Sequence, residues 1–341
     1  MTDDHFSRAP RAALDALTEA GAQMRRRTLL SAGLGLAAAV ALRPARAASA
    51  VRIGYQKYGS LVLLKGRGTL EKALAPLGYE VAWSEFPSGP PLLEALNAGA
   101  IDLGSAGEAP PIFAQAANAD LRYVGTEPPA PRGEAILVPK DSPIRAVSDL
   151  RGKTIALNKG SNVHFLVVRA LEKAGIAYDA VRLVFLSPAD ANAAFVRGSV
   201  DAWAIWDPYL AAAERSTGAR ILADGTGIAP NRQFYLSRRA FTEASPDIVS
   251  AILKAIAEVD TWAAGNGGTV ASELAPSVGI PAPVLTVALD RLSYGVAALD
   301  AKTIADQQAV ADAFHALGLL PKPIRVADAV WAHPQRKAEI R

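Results

Sequence analysis

Two segments of this chain, about one hundred residues apart, repeat one pattern, in which a helix stops at a glycine and an aspartate precedes an apolar strand. The matched pairs are Gly99 with Gly198 and Asp102 with Asp201. A second echo links residues 53–57 to residues 155–159. Strands that alternate with helices pack as a mostly parallel sheet covered by helices. The repeat therefore predicts an α/β fold of two similar lobes, with a ligand closed between them.

The first 47 residues have the composition of an export signal. Three arginines precede the apolar run Thr28–Leu42, and Ala45–Ala47 places small residues where a signal peptidase reads them. The run is shorter than the roughly 20 residues that a membrane span needs. The segment Arg26–Leu30 suits the twin-arginine export address. We therefore predict a twin-arginine signal peptide over residues 1–47, cleaved near Ala47, and a mature protein in the periplasm; an uncleaved anchor is the alternative.

The charge of the chain resides mostly in this leader. It holds seven of the 36 Lys and Arg residues and four of the 33 Asp and Glu residues, so the mature chain carries equal numbers of each. No basic or acidic run indicates nucleic acid or a membrane surface as a partner. The chain has no cysteine, which excludes thiolate metal sites and cysteine nucleophiles.

Signals of catalysis are weak in this sequence. The mature chain has three histidines, His164, His315 and His333, and their spacing does not match a metal site. It has neither a Gly-x-Ser-x-Gly elbow nor a phosphate-binding Walker loop. We therefore predict a protein without catalytic residues, metal ligands or cofactors.

Two breaks in the strand–helix alternation divide the chain. The proline-rich segment Glu127–Pro131 and the loop Asp224–Arg232 are interpreted as crossovers between the lobes. The predicted units are lobe 1 from residues 48–132 and 233–331, lobe 2 from residues 133–232, and a polar C-terminal tail at residues 332–341.

Five loops leave the carboxyl ends of predicted strands, where ligands of open α/β sheets bind. Four of them run into helix N-termini, where free N–H groups and the helix dipole favour anions. We expect hydroxyl donors from Ser88, Ser105 and Ser161, and a close approach of the backbone at Gly89 and Gly107. A plain N-cap is the alternative for each serine. The loops are Gln56–Ser60, Pro87–Gly89, Ser105–Glu108, Asn158–Asn162 and Trp206–Pro208.

Other side chains in these loops suggest contacts to a ligand. Gln56 and Lys57 follow the first strand; Lys57 offers a positive charge, although a solvated lysine explains it equally well. Asn162 opens a helix, and His164 on its first turn offers a donor to an anion, with packing or capping as the alternative.

Trp206 ends a strand and offers an apolar wall, whereas we expect Trp203 to pack in the core. Asp207 would repel an anion, so we favour a capping role before Pro208, with a secondary role in holding donors in place. Glu108 lies at a helix start, where a carboxylate is favourable.

At these loops the chain resembles the aliphatic-sulfonate-binding proteins of ABC importers, and several motifs are shared with nitrate- and taurine-binding relatives. The resemblance runs from about Val51 to Trp331. It implies a type II periplasmic-binding-protein fold, with two lobes joined by two crossovers, and delivery of the ligand to a permease driven by a cytoplasmic ATPase. The motifs that carry it are Tyr55–Lys57, Phe86–Pro90, Ile101–Ser105, Pro110–Ala117, Glu127–Pro129, Lys159–Ser161 and Trp203–Tyr209.

Three positions depart from the family pattern. The family usually has Ser-Thr-Gly-Asp where this chain has Ser105–Glu108, so Ala106 lacks a hydroxyl and Glu108 is one methylene longer. Asn162 stands where serine is common. We expect these three residues to face the cleft and to affect which ligand binds.

The leading hypothesis is an exported, monomeric binding protein for small organosulfonate anions. Alternatives are a binding protein for taurine, nitrate or another small anion, a periplasmic enzyme on the same scaffold, and the sensing module of a signalling system. Besides Trp206, Tyr55 and Phe86 are candidates for the wall of the hydrocarbon tail. The predicted ligand-binding residues are Gln56, Lys57, Ser88, Gly89, Ser105, Gly107, Glu108, Ser161, Asn162, His164, Trp206 and Asp207.

Overall fold

The computed structural model describes residues 49–57 and 59–332. The predicted signal peptide, its cleavage near Ala47 and residues 333–341 of the predicted tail lie outside these ranges. Within them, no helix combines the length and the apolar character needed to cross a membrane.

The strands form two sheets, and each sheet consists of five strands in the described chain. The first sheet has the order β2-β1-β3-β10-β4 and the second has the order β7-β6-β8-β5-β9. The strands are β1 Ser49–Tyr55, β2 Tyr79–Glu85, β3 Leu103–Gly107, β4 Leu121–Thr126, β5 Glu134–Val138, β6 Thr154–Leu157, β7 Arg182–Phe185, β8 Ala202–Trp206, β9 Arg220–Asp224 and β10 Gln233–Arg238.

In each sheet four strands run in one direction and one strand opposes them. In the first sheet β1 is parallel to β2 and β3, whereas β10 is antiparallel to β3 and β4. In the second sheet β6 is parallel to β7 and β8, whereas β5 is antiparallel to β8 and β9. The opposing strands, β5 and β10, are those that follow the passage of the chain from one sheet to the other. The predicted α/β class with mostly parallel sheets is confirmed.

Helices flank both sheets. The apolar pattern of residues 61–77 predicts a helix with a break at the Gly66–Gly68 turn, and this break is confirmed, because Gly68 has a φ of 60° between the first two helices. The helices are α1 Ser60–Arg67, α2 Thr69–Leu74, α3 Gly89–Asn97, α4 Ala109–Ala116, α5 Asn162–Lys173, α6 Pro188–Val196, α7 Tyr209–Thr217, α8 Arg239–Ala244, α9 Pro246–Ala264, α10 Gly267–Val278, α11 Ala282–Leu289 and α12 Ala301–Ala316.

Asp102 and Asp201 make equivalent hydrogen bonds in the two sheets. The carboxylate of Asp102 accepts from the backbone N–H of Arg52 at 2.9 Å, and that of Asp201 accepts from the N–H of Thr154 at 2.8 Å. Each therefore ties the chain just before the central strand, β3 or β8, to the neighbouring strand, β1 or β6. The matched glycine before each aspartate has a left-handed backbone, which a residue with a side chain rarely adopts. The internal repeat of the sequence is thus a repeat of structure.

Two strands depart from the prediction. β3 continues through Gly107, although the sequence predicts a loop from Ser105, because β10 pairs with it antiparallel and Gln233 lies opposite Gly107. β9 was not predicted; it lies at the edge of its sheet beside β5. Both differences arise from partners that are distant in sequence.

An aromatic cluster joins helices that cover the two different sheets. The ring of Phe314 on α12 lies 4.8 Å from that of Phe113 on α4 and 5.8 Å from that of Phe165 on α5, measured between centroids. These rings belong to one continuous set of packed apolar side chains. The two halves of the molecule are therefore in contact, which leaves only a narrow space between the strand ends.

Candidate ligand-binding site

A cavity of about 30 Å³ lies where the carboxyl ends of the two sheets face each other. Both sheets and the second passage of the chain contribute to its wall. Among the residues that the structure describes, every side chain that lines it is uncharged. The lining residues are Gln56, Gly89, Gly107, Pro110, Ser161, Asn162, Trp206, Asn231 and Gln233.

A larger groove of about 460 Å³ lies beside α12 and residues 225–230. No residue at the ends of β1, β3 or β8, which is where open α/β sheets bind ligands, lines this groove in the described structure. We therefore assign the candidate site to the smaller cavity.

Helix starts point at this cavity, but they provide fewer N–H donors than the sequence analysis assumed. In α3, Pro90 and Pro91 follow Gly89, and in α4, Pro110 and Pro111 follow Ala109. Proline has no backbone N–H group, so the amide of the first residue is the forward donor of each of these two helices, and in α4 the N–H of Ala109 already donates to Oδ1 of Asn162. The positive end of the helix dipole remains and still favours an anion.

The N-cap alternative does not hold for Ser88 or Ser161. Ser88 and Ser161 precede α3 and α5, yet neither side chain accepts a capping hydrogen bond. The hydroxyl of Ser161 instead donates to the carbonyl of Asn158 at 2.7 Å, and Ser161 lines the cavity. Ser88 is buried and does not contribute to the cavity wall.

Asn162 connects the two halves of the site. Its Oδ1 accepts from the backbone N–H of Ala109 at 3.3 Å, and its Nδ2 donates to Oδ1 of Asn231 at 2.7 Å. Asn231 in turn donates to the carbonyl of Ala130 at 2.8 Å, so both passages between the sheets are tied to this amide. A methyl group at Gly107 would lie 2.0 Å from Oδ1 of Asn162. Glycine is therefore required at this position by the close approach of the asparagine side chain.

Gln56 and Trp206 both lie at strand ends and line the cavity, in agreement with the prediction. The Nε2 of Gln56 donates to the carbonyl of Ser105 at 3.1 Å, which orients its amide beside β3. The half-buried ring of Trp206 supplies an apolar surface, and its edge meets Tyr209 at 6.4 Å between centroids. Trp203, in contrast, is 1% exposed and packs against Phe195, as expected for a core residue.

Six of the twelve predicted contact residues do not line the cavity. Ser88 is one of them, and Glu108 and Asp207 are two others; the remaining three are Lys57, Ser105 and His164. The ammonium of Lys57 donates to the carbonyl of Val278 at 3.0 Å and lies 3.8 Å from Glu85. Ser105 is buried within β3, because that strand is longer than predicted. The direction of a side chain at a strand end depends on what packs beside it, which the local sequence does not specify.

His164 is the third, and it is a residue of the interior. Its side chain is fully buried, its Nδ1 accepts from the N–H of Gly160 at 3.2 Å, and its Nε2 lies 2.7 Å from the hydroxyl of Tyr178. Burial lowers the pKa of His164 to about 4, so the ring is neutral at physiological pH. His164 therefore packs in the interior, which is the alternative to a contact with an anion.

Two buried glutamates adjoin residues of the cavity wall. Glu108 follows Gly107, and its Oε2 accepts from the backbone N–H of Arg232 at 3.1 Å. Glu134 lies opposite Trp206 in the register of β5 and β8, and in the described structure neither of its carboxylate oxygens has a hydrogen-bond partner. The sequence analysis missed Glu134, since only the pairing of the strands brings it here.

Burial controls the charge of these two groups. It raises the pKa of Glu108 to about 7, and burial together with the charge of Glu108 raises the pKa of Glu134 well above its usual value. The protonated form of Glu134 is therefore favoured at neutral pH. An anion in the neighbouring cavity consequently meets less negative charge than two glutamates would otherwise impose.

Asp207 caps α7, as the sequence predicts, but it lies one residue before the N-cap position, which Pro208 occupies. Its Oδ1 accepts from the backbone N–H of Ala211 at 3.0 Å in the first turn of α7, which begins at Tyr209. Its Oδ2 lies 3.5 Å from the guanidinium of Arg291, which also binds Glu214 at 2.7 Å. Burial outweighs this partner and raises the pKa of Asp207 to about 7. Arg291 follows α11 in the sequence, so this contact also joins the two halves of the molecule.

Comparison with known proteins places the chain in a family. Residues 80–266 match the model of the NMT1/THI5-like family. An aliphatic sulfonates-binding protein of Escherichia coli (strain K12) is 44% identical over 310 residues, which are 90% of this chain and 96% of that protein. The chain belongs to the aliphatic-sulfonate-binding proteins.

Solved structures of this family agree with the fold. The alkanesulfonate-binding protein SsuA from Xanthomonas axonopodis pv. citri, bound to MOPS, is 45% identical with a TM-score of 0.80, over 83% of this chain and 98% of that one. The periplasmic sulphonate-binding protein SsuA from Escherichia coli is 44% identical with a TM-score of 0.77, over 84% and 92% of the two chains. The desulfurization enzyme DszB is 17% identical with a TM-score of 0.61, over 86% of this chain and 100% of that one, and shows the fold alone. The predicted periplasmic-binding-protein fold is confirmed.

The positions at which this chain departs from the usual pattern of aliphatic-sulfonate-binding proteins do not all face the cavity. Asn162 lines it, whereas Ala106 and Glu108 are buried and do not. The expectation that all three face the ligand was therefore wrong for two of them. Ala106 lies instead under Gly89, where a methyl group on that glycine would approach its Cβ to 3.2 Å.

Replacing Trp206 with alanine is expected to weaken ligand binding while the protein stays folded. The ring forms part of the cavity wall but is only partly buried, so its loss removes contacts to a ligand without opening the core. We expect a loss of affinity of roughly tenfold, the equivalent of about 1.4 kcal/mol. Titration calorimetry of the variant measures this.

Trp203→Ala is the matched control for this substitution. Truncation of a buried aromatic residue costs about 3–5 kcal/mol of stability, so this variant should show a large drop in unfolding free energy. Unchanged binding by a folded Trp206→Ala protein would show that the ligand lies elsewhere.

Proposed function

We propose that this protein is an exported solute-binding protein that captures aliphatic sulfonates between two lobes and delivers them to an ABC importer. The observation that carries the proposal is the small cavity of uncharged polar groups and helix starts between the carboxyl ends of the two sheets. The sulfonate-binding relatives at 44–45% identity support the same class of ligand. The lobes in this proposal comprise residues 48–132 with 233–331, and residues 133–232.

The chemistry of a sulfonate fits this lining. A sulfonate is a permanent anion with three acceptor oxygens and no proton to donate at neutral pH, so its site should offer donors and few acceptors. The amides of Gln56, Asn231 and Gln233 and the helix dipoles meet this demand. Of the predicted contact residues we therefore retain Gln56, Gly89, Gly107, Ser161, Asn162 and Trp206, and we add Asn231 and Gln233.

Closure of the lobes provides the coupling to transport. A ligand shifts an equilibrium between open and closed states only by contacts that differ between them. The cavity wall comes from both lobes, so a bound headgroup contacts both of them in the closed state. The pairs of Asn162 with the backbone N–H of Ala109 and of Arg291 with Asp207 form across the junction between the lobes and stabilise that state.

The partners in this proposal are the importer's permease and its cytoplasmic ATPase, and the protein acts in the periplasm as a monomer without catalysis. Taurine or nitrate binding remains the alternative within the same fold. A periplasmic enzyme is the alternative of another class. It is disfavoured because His164 packs in the interior, away from the cavity.

Calorimetric titration of the purified protein with alkanesulfonates, taurine, nitrate and sulfate tests the proposal. We expect an alkanesulfonate to bind more tightly than each of the other three anions, because the cavity combines donors with the apolar ring of Trp206. Nitrate that binds more tightly than every sulfonate would contradict the proposal. Conversion of any of these compounds during the titration, detected by chromatography, would contradict the absence of catalysis.

A further inference from the structure

An apolar groove of about 330 Å³ runs between α3 and α4, next to the candidate site. On both α3 and α4 the lining residues are spaced three or four positions apart, so the groove runs along one face of each helix. We call it the tail groove. Its lining residues are Pro90, Leu93, Glu94, Asn97, Pro110, Phe113, Ala114, Ala117, Ala119, Lys159 and Gly160.

The tail groove and the cavity meet where the two lobes touch. Pro110 lines both spaces. On the first lobe Gly89 lines the cavity and the next residue, Pro90, lines the groove; on the second lobe Ser161 lines the cavity and Gly160 the groove. The two spaces are therefore neighbours along three separate segments of chain. The larger groove beside α12 shares no lining residue with the cavity.

The cavity is too small for a whole alkanesulfonate. A water molecule requires about 10–15 Å³ when volume is measured in this way, so a cavity of about 30 Å³ offers room for a headgroup and none for a long tail. The tail must leave the cavity, and the tail groove begins at its border.

The walls of the tail groove suit a hydrocarbon chain. Leu93 and Pro110 form buried apolar surface, and Phe113 and Ala114 are half-buried. The charged groups of Glu94 and Lys159 lie at exposed positions. From Pro110 to Ala117 the helix rises about 10 Å, which approximates the length of an extended chain of roughly eight carbons.

We propose that the tail groove binds the hydrocarbon tail of a sulfonate whose headgroup occupies the cavity, so that the protein selects unbranched alkanesulfonates of medium length over short ones. The inference rests on the proposed sulfonate-binding function. To that function it adds a binding site for the tail beside the cavity and a rank order of sulfonates by chain length.

Calorimetry with methane-, butane-, hexane- and octanesulfonate tests the rank order. Burial of each methylene should tighten binding by about fourfold, since a buried methylene contributes about 0.8 kcal/mol and 1.4 kcal/mol corresponds to a factor of ten. Affinity should then level off for chains longer than the groove. Equal affinity from methane- to octanesulfonate would overturn the inference and leave the proposed function intact, whereas failure of every sulfonate to bind would overturn the proposed function itself.

Substitutions in the groove test its location. Ala114→Leu and Ala117→Leu each add three carbons to the groove wall, and Ala264→Leu at the exposed end of α9 is the matched control. We expect the two groove variants to weaken octanesulfonate binding by tenfold or more with butanesulfonate little changed, and the control to alter neither. Because Ala117 is exposed at the end of α4, its variant should fold even if the Ala114 variant does not. If affinity still increases with chain length in both variants, and both are folded, the tail lies elsewhere, against Trp206 for example, and the inference is overturned.

Discussion

Replacing Gly107 with alanine is expected to weaken sulfonate binding by tenfold to hundredfold while both sheets stay folded. The added Cβ would lie 2.0, 2.2 and 2.3 Å from Oδ1, Nδ2 and Cγ of Asn162, far closer than any real contact. Asn162 cannot simply turn away, because Ala109 and Asn231 hold the two ends of its amide. Overpacking of this kind costs about 1–3 kcal/mol, and 1.4 kcal/mol corresponds to a factor of ten in affinity.

The clash acts on closure because the two residues belong to different sheets. Gly107 ends β3 of the first sheet, and Asn162 begins α5 beside the second. Relief of the clash therefore requires the two halves to move apart, which opens the site. The ligand must then supply the extra free energy of closure, and its apparent affinity falls. Titration calorimetry and small-angle scattering measure the two effects separately.

Two further variants make this test specific. Gly66→Ala is the control, since its added methyl group would meet only Leu274 at 3.8 Å, and we expect normal binding. In an Asn162→Ala background, the Gly107→Ala substitution should change affinity far less than it does in the wild type, because the clashing amide is absent. Unchanged binding by Gly107→Ala, or an equal loss in both backgrounds, would refute the proposed clash.

The free energy of unfolding is expected to decrease as the pH rises from about 5 to about 9. Burial raises the pKa of Glu108 and Asp207 to about 7 and that of Glu127 to about 8. These carboxyls bind a proton more tightly in the folded than in the unfolded protein. Their contribution to stability is thus fully present below the unfolded pKa, near 4, and is lost as the pH rises through 7–8.

The size of this decrease follows from the shifts. One pKa unit corresponds to about 1.4 kcal/mol, so each group contributes on the order of a few kcal/mol. The pKa of His164 is lowered to about 4, so this residue makes the free energy of unfolding increase as the pH rises from about 4 to 6.5. This single contribution is outweighed by those of the three carboxyls. Urea unfolding at pH 5, 7 and 9 measures the trend. Stability that increases from pH 5 to pH 8 would contradict the expectation.

Glu127→Gln isolates one of these groups. Glu127 is fully enclosed, accepts from the hydroxyl of Tyr235, and lies 3.5 Å from the hydroxyl of Ser60. Glutamine keeps an acceptor at this position but has no titratable proton, so the decrease in stability above pH 7 should become smaller. Glu94→Gln, at an exposed position on α3, is the control and should leave the pH profile unchanged. An identical profile in the wild type and the Glu127 variant would show that this carboxyl does not carry the effect.

Much of the fold could be predicted from local patterns. Periodicity and turn residues predict a helix over Pro246–Ala264, which is the observed range of α9. They also predict strands over Val51–Tyr55, Leu121–Gly125 and Gln233–Leu236, which lie within β1, β4 and β10. The site was predicted less well. Asn231 and Gln233 were missed because they come from the second passage between the sheets, where no local signal marks a polar side chain as a ligand contact. Lys57 and His164 were mistaken for contacts because their residue types suit an anion, although both side chains have partners elsewhere.

The sequence by itself determined the order of strands and helices, the two-lobed repeat and the family, because hydrophobic periodicity and glycine positions act over a few neighbouring residues. It also placed Gln56, Ser161 and Trp206 at strand ends and helix starts. Only the tertiary structure decided which of these groups meet. The antiparallel insertion of β5 and β10 brings Glu134, Asn231 and Gln233 to the site. Glu134 lies 78 positions from Gln56 in the chain, and Asn231 and Gln233 lie more than 140 positions from both Gln56 and Gly89. Contacts over such separations depend on how the sheets pair and pack, which no local pattern encodes.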